Sequence, residues 1–424
     1  MSVNASIKRS ISLNKSTHSL WFGPRQSGKS TLLKNELRDE NFFEVDLLQT
    51  DIYSRYLKDP SLFRKDVEYQ IKYKNKKFIF IDEIQKVPAL TNEVHLLIEK
   101  NANKIKFILS GSSARKLKHG NANLLGGRAI VQQLFPFIMK ELKDHFDLEQ
   151  VLKHGSLPGN YFDQPELRVE KLKAYVNLYL KEEIAQEGLV RKLDIFNRFL
   201  EIAAIYATEI INYSNIARES GTSVKTIQSY FQILSETLIG FELPCWDRSL
   251  KRKLSKHAKF YFVDNGILSA IKHQLKDPLD LEIRGKMFEQ WVINEIRAML
   301  FYSGSEQQMY FWRTARGEHE IDLVLAQSGR IKSAIEIKAK KKISKKDLLG
   351  LVEFSKEHPQ ANLWCLCETP SPYEMEFELE LERGRDGQGK RKVSIKIVNA
   401  ESLKDADIEK DILAPKTIPI TNFK

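Results

Sequence analysis

The sequence of 424 residues is short of several features that would define its class. It has three cysteines, too few for a fold held by disulfide bonds, so we expect a reducing compartment, the cytoplasm. No apolar run approaches the roughly 18–20 residues that cross a bilayer, and the first residues lack the apolar segment of a secretory signal. Nor is there a repeat of about 20–50 residues. These absences argue against disulfide scaffolds, solenoids and a membrane partner.

The composition is that of an ordinary globular protein with an excess of positive charge. Hydrophobic residues make up 42% and charged residues 29% of the chain. Lysine and arginine number 67 against 56 aspartates and glutamates, which gives a formal net charge of +11. At about 150 residues per domain, the length predicts two to four domains. The charge favours a polyanionic partner but does not by itself identify one.

The first third of the chain has the pattern of an α/β domain. Short apolar runs alternate with helical patterns, which predicts βαβ units around a parallel sheet. The runs occupy residues 20–22, 42–45, 78–81, 105–109 and 129–134.

Residues 23–30 fit the pattern G-x-x-x-x-G-K-[ST] between a predicted strand and a predicted helix, which is the context of a phosphate-binding P-loop. Its glycines allow backbone N–H groups to point at phosphates, and the helix N-terminus adds a positive dipole. Lys29 is expected to reach the β- and γ-phosphates of ATP, and Ser30 to hold Mg²⁺. The predicted nucleotide-binding residues are Gly23, Pro24, Arg25, Gln26, Ser27, Gly28, Lys29, Ser30 and Thr31.

A second motif completes the predicted ATP site. The apolar strand at 78–81 runs into Asp82 and Glu83, which is the arrangement of a Walker B element. Asp82 is expected to bind Mg²⁺, directly or through water, and Glu83 to polarise the attacking water as a general base. The next apolar strand ends at Ser110, whose hydroxyl can bond the γ-phosphate or its water.

An Asp-Glu pair and a polar residue ending the next strand resemble AAA+ and related ATPases. Segments 23–30, 80–85, 109–115 and 126–128, with C-terminal segments 261–268, 285–289, 311–313, 320–322 and 335–338, resemble one large prokaryotic family. Its members join an AAA+-type ATPase to a C-terminal domain of unknown function. The resemblance implies a homo-oligomer, with a hexamer as one form. It also favours Arg128 as the arginine that offsets transition-state charge, in trans or in cis, while Arg115 and Arg25 stay open.

Residues 213–221 and 224–237 form a helix–glycine turn–helix pattern, and strand-like runs follow at 240–246 and 260–263. This predicts a winged helix. Lys225, Gln228 and Ser229 face outward on the second helix and can contact a DNA groove. The loop at 247–259 predicts a basic wing for phosphate contacts, although a purely structural module stays open. Its cations are Arg248, Lys251, Arg252, Lys253, Lys256 and Lys259.

The C-terminal third is similar to the PD-(D/E)XK nuclease fold. Asp322 lies on one predicted strand, and Glu336 and Lys338 share a face of the next, because strand residues i and i+2 point the same way. Convergence of the two carboxylates would create an Mg²⁺ site, with Lys338 beside it. The helix from residue 285 offers Glu289 or Glu295 as a third carboxylate. Helical spacing does not choose between them, and family placement favours Glu289.

We therefore expect a P-loop AAA+-type ATPase that binds DNA and couples ATP turnover to DNA remodelling or processing. A nucleotide-dependent signalling or assembly switch and an ATP-licensed, Mg²⁺-dependent nuclease are the alternatives. The expected parts are a flexible basic arm (1–17), the ATPase core (18–135), a helical lid (136–200), the winged helix (201–278), the nuclease-like domain (279–400) and a tail (401–424).

Overall fold

The computed structural model describes residues 7–101, 104–113, 125–180, 193–247, 258–380 and 390–413. Its N-terminal sheet is parallel throughout, with the strand order β2–β3–β4–β1–β5. The strands are β1 (His18–Phe22), β2 (Phe42–Asp46), β3 (Phe78–Asp82), β4 (Lys106–Gly111) and β5 (Ala129–Gln133). This confirms the predicted strands and the mixed α/β class.

Helices cover both faces of this sheet, as the continuous apolar runs require. Ile79, Ile81 and Leu109 pack on one side, whereas Phe80 and Trp21 pack on the other. The covering helices are α1 (Lys29–Glu36), α2 (Thr50–Lys58), α3 (Ser61–Lys74) and α4 (Leu90–Asn101). Because β4 lies between β1 and β3, the ends of these three strands meet at one sheet edge.

A helical segment follows, as the sequence predicts. It contains α5 (Met139–Leu142), α6 (Leu148–His154), α7 (Pro165–Ala174), a π-helical turn at Tyr175–Leu180 and α8 (Leu193–Ile205). The N-terminal arm, expected to be loosely ordered, differs from that expectation over residues 7–17. Leu13 is buried, and Arg9 forms an ion pair with Glu141 of α5. A buried ion pair holds the arm against the helical segment.

The predicted helix–turn–helix is present as α9 (Tyr213–Ser220) and α10 (Val224–Glu236). Gly221 between them has φ +68°, a left-handed conformation that glycine adopts without strain. The Ser223 side chain caps α10 by accepting a bond from the Thr226 N–H. Strands β6 (Gly240–Leu243) and β7 (Lys259–Phe262) then pair antiparallel.

The C-terminal part is a mixed sheet with the order β12–β13–β11–β10–β9–β8. Its strands are β8 (Gln308–Arg313), β9 (Glu320–Gln327), β10 (Arg330–Lys338), β11 (Asn362–Cys367), β12 (Tyr373–Glu380) and β13 (Lys390–Asn399). Its helices are α11 (Asn265–Ile271), α12 (Leu281–Tyr302), α13 (Leu349–Glu357) and α14 (Ala406–Leu413). Within the described ranges, no helix is both long and apolar enough to cross a membrane.

Helix α12 places one carboxyl group deep in the interior. Both oxygens of Glu295 accept from the Met139 N–H, at 3.1 and 3.2 Å, and one also accepts from the Trp291 indole at 3.1 Å. Burial raises the pKa of Glu295 to about 8, because the bonds offset only part of the desolvation cost. The protein therefore holds this side chain protonated at neutral pH.

We predict that the free energy of unfolding falls less with rising pH in Glu295→Gln than in the wild type. The pKa of Glu295 is higher in the folded than in the unfolded chain, so its contribution is complete near pH 4 and is lost as pH rises to about 8. Relative to the variant, the wild type should lose up to about 1.4 kcal/mol per pH unit over that window. Urea midpoints at pH 5.5, 6.5 and 7.5 measure the difference. The exposed Glu282→Gln on the same helix should track the wild type, and parallel wild-type and Glu295→Gln curves would contradict the assignment.

Candidate functional site

The P-loop turn between β1 and α1 needs backbone conformations that most residues resist. Gly28 has φ +86° and Gln26 has φ +62°. At Gly23 a Cβ atom would lie 2.4 Å from the Leu134 carbonyl oxygen. The glycines therefore let the loop curl tightly against β5 and expose its backbone to a ligand.

The P-loop lysine is buried and folded back onto its own loop. Lys29 Nζ donates to the carbonyl oxygens of Gly23 at 2.7 Å and Pro24 at 3.0 Å. Its positive charge thus lies inside the curl of the loop. A phosphate group there would compete with these two neutral carbonyls for the ammonium, and the negatively charged ligand has the stronger interaction.

The carboxyl ends of β3 and β4 bring the acidic residues beside the P-loop. Ser110 Oγ donates to the buried Asp82 carboxylate. Glu83 has φ +58°, and its carboxylate accepts from Gln85, which also donates to Ser112 Oγ at 3.0 Å. Burial raises the pKa of Glu83, against the opposing effects of Lys29 and Gln85. A carboxylate of raised basicity in a strained backbone conformation is characteristic of catalytic sites.

A cavity of about 310 Å³ opens next to the P-loop. The arm contributes Ile7 and Arg9 to its wall, and the helical segment contributes Phe137, Pro158 and Gly159. A Cβ atom at Gly159 would lie 2.9 Å from Gln26 Cβ and 2.8 Å from Gln26 Oε1, so a side chain there would displace Gln26. Within the described residues this buried Gln26 oxygen has no hydrogen-bond partner. The volume suits a small-molecule site, and an orphaned polar atom in its wall fits a ligand with polar groups.

Sequence reasoning missed the part that the arm takes in this wall. Arg9 Nη1 donates to the Ser27 carbonyl of the P-loop at 2.9 Å, and Nη2 donates to the Phe135 carbonyl at 2.6 Å. The guanidinium also pairs with the fully buried Glu141 at 3.1 Å. Residues 1–17 read only as a basic, polar stretch, and nothing in that pattern distinguishes a buried arginine from an exposed one.

The three arginines that the sequence offers for the ATP site differ in their surroundings. Arg128 lies on the surface and pairs with Glu99 of α4 at 2.8 Å. The charge of Arg25 partly opposes the burial that raises the pKa of Glu83. Arg115 lies outside the described residues. The role of Arg128 at the nucleotide stays a prediction.

Of the residues predicted to contact DNA, the structure describes those on the helix but only one of those in the wing. Lys225 and Gln228 are exposed on α10, and Ser229 is partly exposed. The wing residues Arg248, Lys251, Arg252, Lys253 and Lys256 lie outside the described residues. Lys259, which the sequence grouped with the wing, is buried, so its placement in a phosphate-binding loop is wrong.

The C-terminal candidates converge. Lys338 Nζ pairs with Glu336 and lies 3.9 Å from Asp322 Oδ2, so both carboxylates are on one side of the sheet. Glu289 joins them from α12, whereas Glu295 points to Met139. Lys259 of β7 also enters this cluster. Among the described residues, no three acidic, histidine or cysteine side chains are arranged to hold a metal ion.

Comparison with known proteins agrees with the geometry of the N-terminal site. Residues 17–143 match the family model of the AAA domain. Residues 145–278 and 284–380 match two domains of unknown function, DUF8612 and DUF4143. The N-terminal part of the chain is therefore an AAA-type P-loop ATPase domain.

Two bacterial relatives match most of the chain, and both carry the description uncharacterized protein. One from Mycobacterium tuberculosis is 24% identical over 314 residues, which cover 73% of this chain and 67% of that protein. One from Haemophilus influenzae is 25% identical over 272 residues, covering 58% and 66% respectively. Among solved structures, the Walker-type ATPase of Pyrococcus abyssi is 14% identical with a TM-score of 0.40, covering 60% of this chain and 90% of that chain.

We predict that the Arg9–Glu141 pair holds the wall of the P-loop cavity. Arg9→Met leaves a buried carboxylate without its cation and should cost about 3 kcal/mol of stability, with weaker ATP binding. Arg9→Met/Glu141→Gln should recover part of that loss, because the unpaired charge is gone. Urea unfolding and fluorescent-ATP titration measure both effects. Additive losses in the double variant would show that the two groups do not depend on each other.

Proposed function

We propose that this protein hydrolyses ATP at the P-loop site and that turnover is coupled to DNA binding. The observation that carries the proposal is the meeting of Lys29, Asp82, Ser110 and Glu83 at one edge of the AAA-type sheet, beside a cavity of about 310 Å³. The match of residues 17–143 to the AAA domain supports the same chemistry.

Each group has a role that its surroundings support. Lys29 leaves the Gly23 and Pro24 carbonyls to meet the phosphates. Ser30 and Asp82 are the residues that would hold Mg²⁺, which supplies neutralisation of charge on the β- and γ-phosphates. Ser110 fixes the orientation of the Asp82 carboxylate through their hydrogen bond. Glu83 takes a proton from the attacking water, and its raised pKa makes it a stronger base than an exposed glutamate.

Two substitutions separate nucleotide binding from hydrolysis. Lys29→Ala should abolish ATP binding, because the phosphates lose the ammonium inside the loop. Glu83→Gln should bind ATP normally and release phosphate at least ~100-fold more slowly, the scale expected for loss of a general base. Equilibrium binding and steady-state phosphate release measure the two steps.

The matched control is Lys34→Ala on the same helix, where the lysine pairs with Glu44 at the surface. It should bind and turn over ATP like the wild type. Wild-type turnover in Glu83→Gln would remove Glu83 from the mechanism, and ATP binding retained in Lys29→Ala would place the nucleotide elsewhere.

DNA is the proposed polyanion because α10 has an exposed side and a basic stretch, residues 247–259, follows it in the sequence. Lys225 and Gln228 are exposed on the second helix of a helix–turn–helix, the element that enters a groove in proteins of that design. The net charge of +11 favours the same partner. In this account DNA contact at the helix and wing changes ATP turnover in the AAA-type domain.

Neutralising Lys251, Arg252 and Lys253 to glutamine should weaken duplex binding and flatten its salt dependence, by ~0.9 in log–log slope for each phosphate group that the wing no longer neutralises. Fluorescence anisotropy over a range of salt concentrations measures both quantities. The exposed lysines Lys58, Lys72 and Lys74 provide a control triple variant with the same change in net charge. Equal effects from the two triples would mean that only net charge attracts DNA and that the wing does not touch it.

Two hydrogen bonds favour a nucleotide-dependent assembly switch as the second candidate. The Gly159 N–H donates to the Gln26 carbonyl of the P-loop at 3.2 Å, and the Ser156 N–H donates to Asp264 at 2.7 Å. Segment 156–160 thus links the nucleotide site to the region that follows β7. Slow turnover with tightly retained nucleotide, unchanged by DNA, would favour the switch over the DNA-coupled ATPase.

A further inference from the structure

The acidic cluster of the C-terminal domain is built from elements that are far apart in the chain. Glu289 comes from α12, Glu320 and Asp322 from β9, and Glu336 from β10. Asp322 and Glu336 are only 9% and 7% exposed. The Asp322 carboxylate accepts from the Ile337 N–H at 2.8 Å, which fixes it between the two strands. So many carboxylates at close range require a compensating cation.

That cation comes from outside the C-terminal sheet. Lys259 Nζ of β7 lies 2.6 Å from Glu320, 3.3 Å from Glu289 and 4.0 Å from Asp322. The lysine is 4% exposed. Burial alone would lower the pKa of Lys259, but the negative charges around it, led by Glu289, outweigh that effect. The net pKa lies well above the ordinary value, so the side chain is a charged ammonium. A buried point charge among three carboxylates occupies the position that a metal ion takes in an oxygen-ligand site.

The rest of the cluster is arranged around this ammonium. The Tyr261 hydroxyl donates to Glu289 Oε1 at 2.6 Å, the same oxygen that faces Lys259. Lys338 approaches Asp322 and Glu336 from the other side. In the described part of the chain, the second oxygen of Glu336 is buried with no hydrogen-bond partner. Glu336 thus keeps one unbonded oxygen inside a cluster that already holds the ammonium groups of Lys259 and Lys338.

These residues do not fit an Mg²⁺ ion while Lys259 is in place. A divalent ion at the centre of the cluster would need the space that the Lys259 ammonium already fills between Glu289, Glu320 and Asp322, and the two cations would repel each other. An ammonium supplies charge but cannot act as a Lewis acid on a phosphoryl oxygen or lower the pKa of a bound water. The predicted Mg²⁺-dependent nuclease site is therefore closed in this structure.

We propose that the C-terminal cluster is a latent divalent-cation site, which Lys259 of the neighbouring β-hairpin fills in place of the metal. The ion pairs of Lys259 thereby connect the β6–β7 hairpin to the C-terminal sheet. Removing Lys259 leaves Glu289, Glu320, Asp322 and Glu336 with the Lys338 ammonium, which pairs with Glu336 and lies 3.9 Å from Asp322. This proposal concerns a different site from the ATP site and does not depend on the proposed function.

The test is Mn²⁺ binding by the full chain after removal of metals with EDTA, without nucleotide, for the wild type and Lys259→Met. Isothermal titration should detect one Mn²⁺ site in Lys259→Met at least 10-fold tighter than any wild-type site that depends on Glu336. Lys259→Met/Glu336→Gln should lose it again. Lys332→Met, on the strand that carries Glu336 but outside the cluster, should behave like the wild type.

Thermal unfolding distinguishes a Lys259→Met chain that lacks the Mn²⁺ site from one that fails to fold. Mn²⁺ should raise the unfolding temperature of Lys259→Met by several degrees and leave that of the wild type unchanged. A folded Lys259→Met chain without the new site would overturn the proposal. So would a wild-type Mn²⁺ site that Glu336→Gln removes and that is as tight as the site of Lys259→Met, or a Lys259→Met chain that stays unfolded even in Mn²⁺.

Discussion

A charged group inside this protein is stable only where an opposite charge or a set of N–H groups meets it, and that requirement joins distant parts of the chain. Arg9 meets Glu141 and thereby fixes the arm beside the P-loop. Asp264 accepts from the N–H groups of Ser156 and Ile267, which places the end of β7 against segment 156–160. Lys259 meets carboxylates from α12 and β9. Each pairing sets the position of one part relative to the next, from the nucleotide cavity to the C-terminal sheet.

The backbone is shaped to allow these approaches. A Cβ atom at Gly155 would lie 2.0 Å from an Asp264 carboxylate oxygen, and one at Gly266 would lie 2.1 Å from the His154 carbonyl oxygen. Any other residue at either position would push the loop after α6 away from α11. Gly159, in the same loop, donates to the Gln26 carbonyl, so this loop contacts both the P-loop and the residues that follow β7.

The AAA-type sheet can be predicted from the sequence because its strands are continuous apolar runs and its motifs are local in the chain. The C-terminal triad of Asp322, Glu336 and Lys338 is also predictable, since strand alternation fixes which residues share a face. Lys259 is misplaced because local charge density cannot distinguish a wing lysine from one that meets carboxylates 30 to 63 residues later. Strand β12 is missed as well. Its glutamates alternate with apolar residues and pair with the basic β13, so its stability depends on a partner strand that the local pattern does not reveal.

We propose that the P-loop, the N-terminal arm and segment 156–160 together form one nucleotide site. A crystal structure of the full chain with Mg²⁺ and a non-hydrolysable ATP analogue would show whether they do. We expect the γ-phosphate beside Lys29 Nζ, which has left the Gly23 and Pro24 carbonyls, and the base in the cavity between Arg9 and Gly159. A nucleotide bound with its base outside that cavity, or with Lys29 still bonded to its own loop, would contradict it.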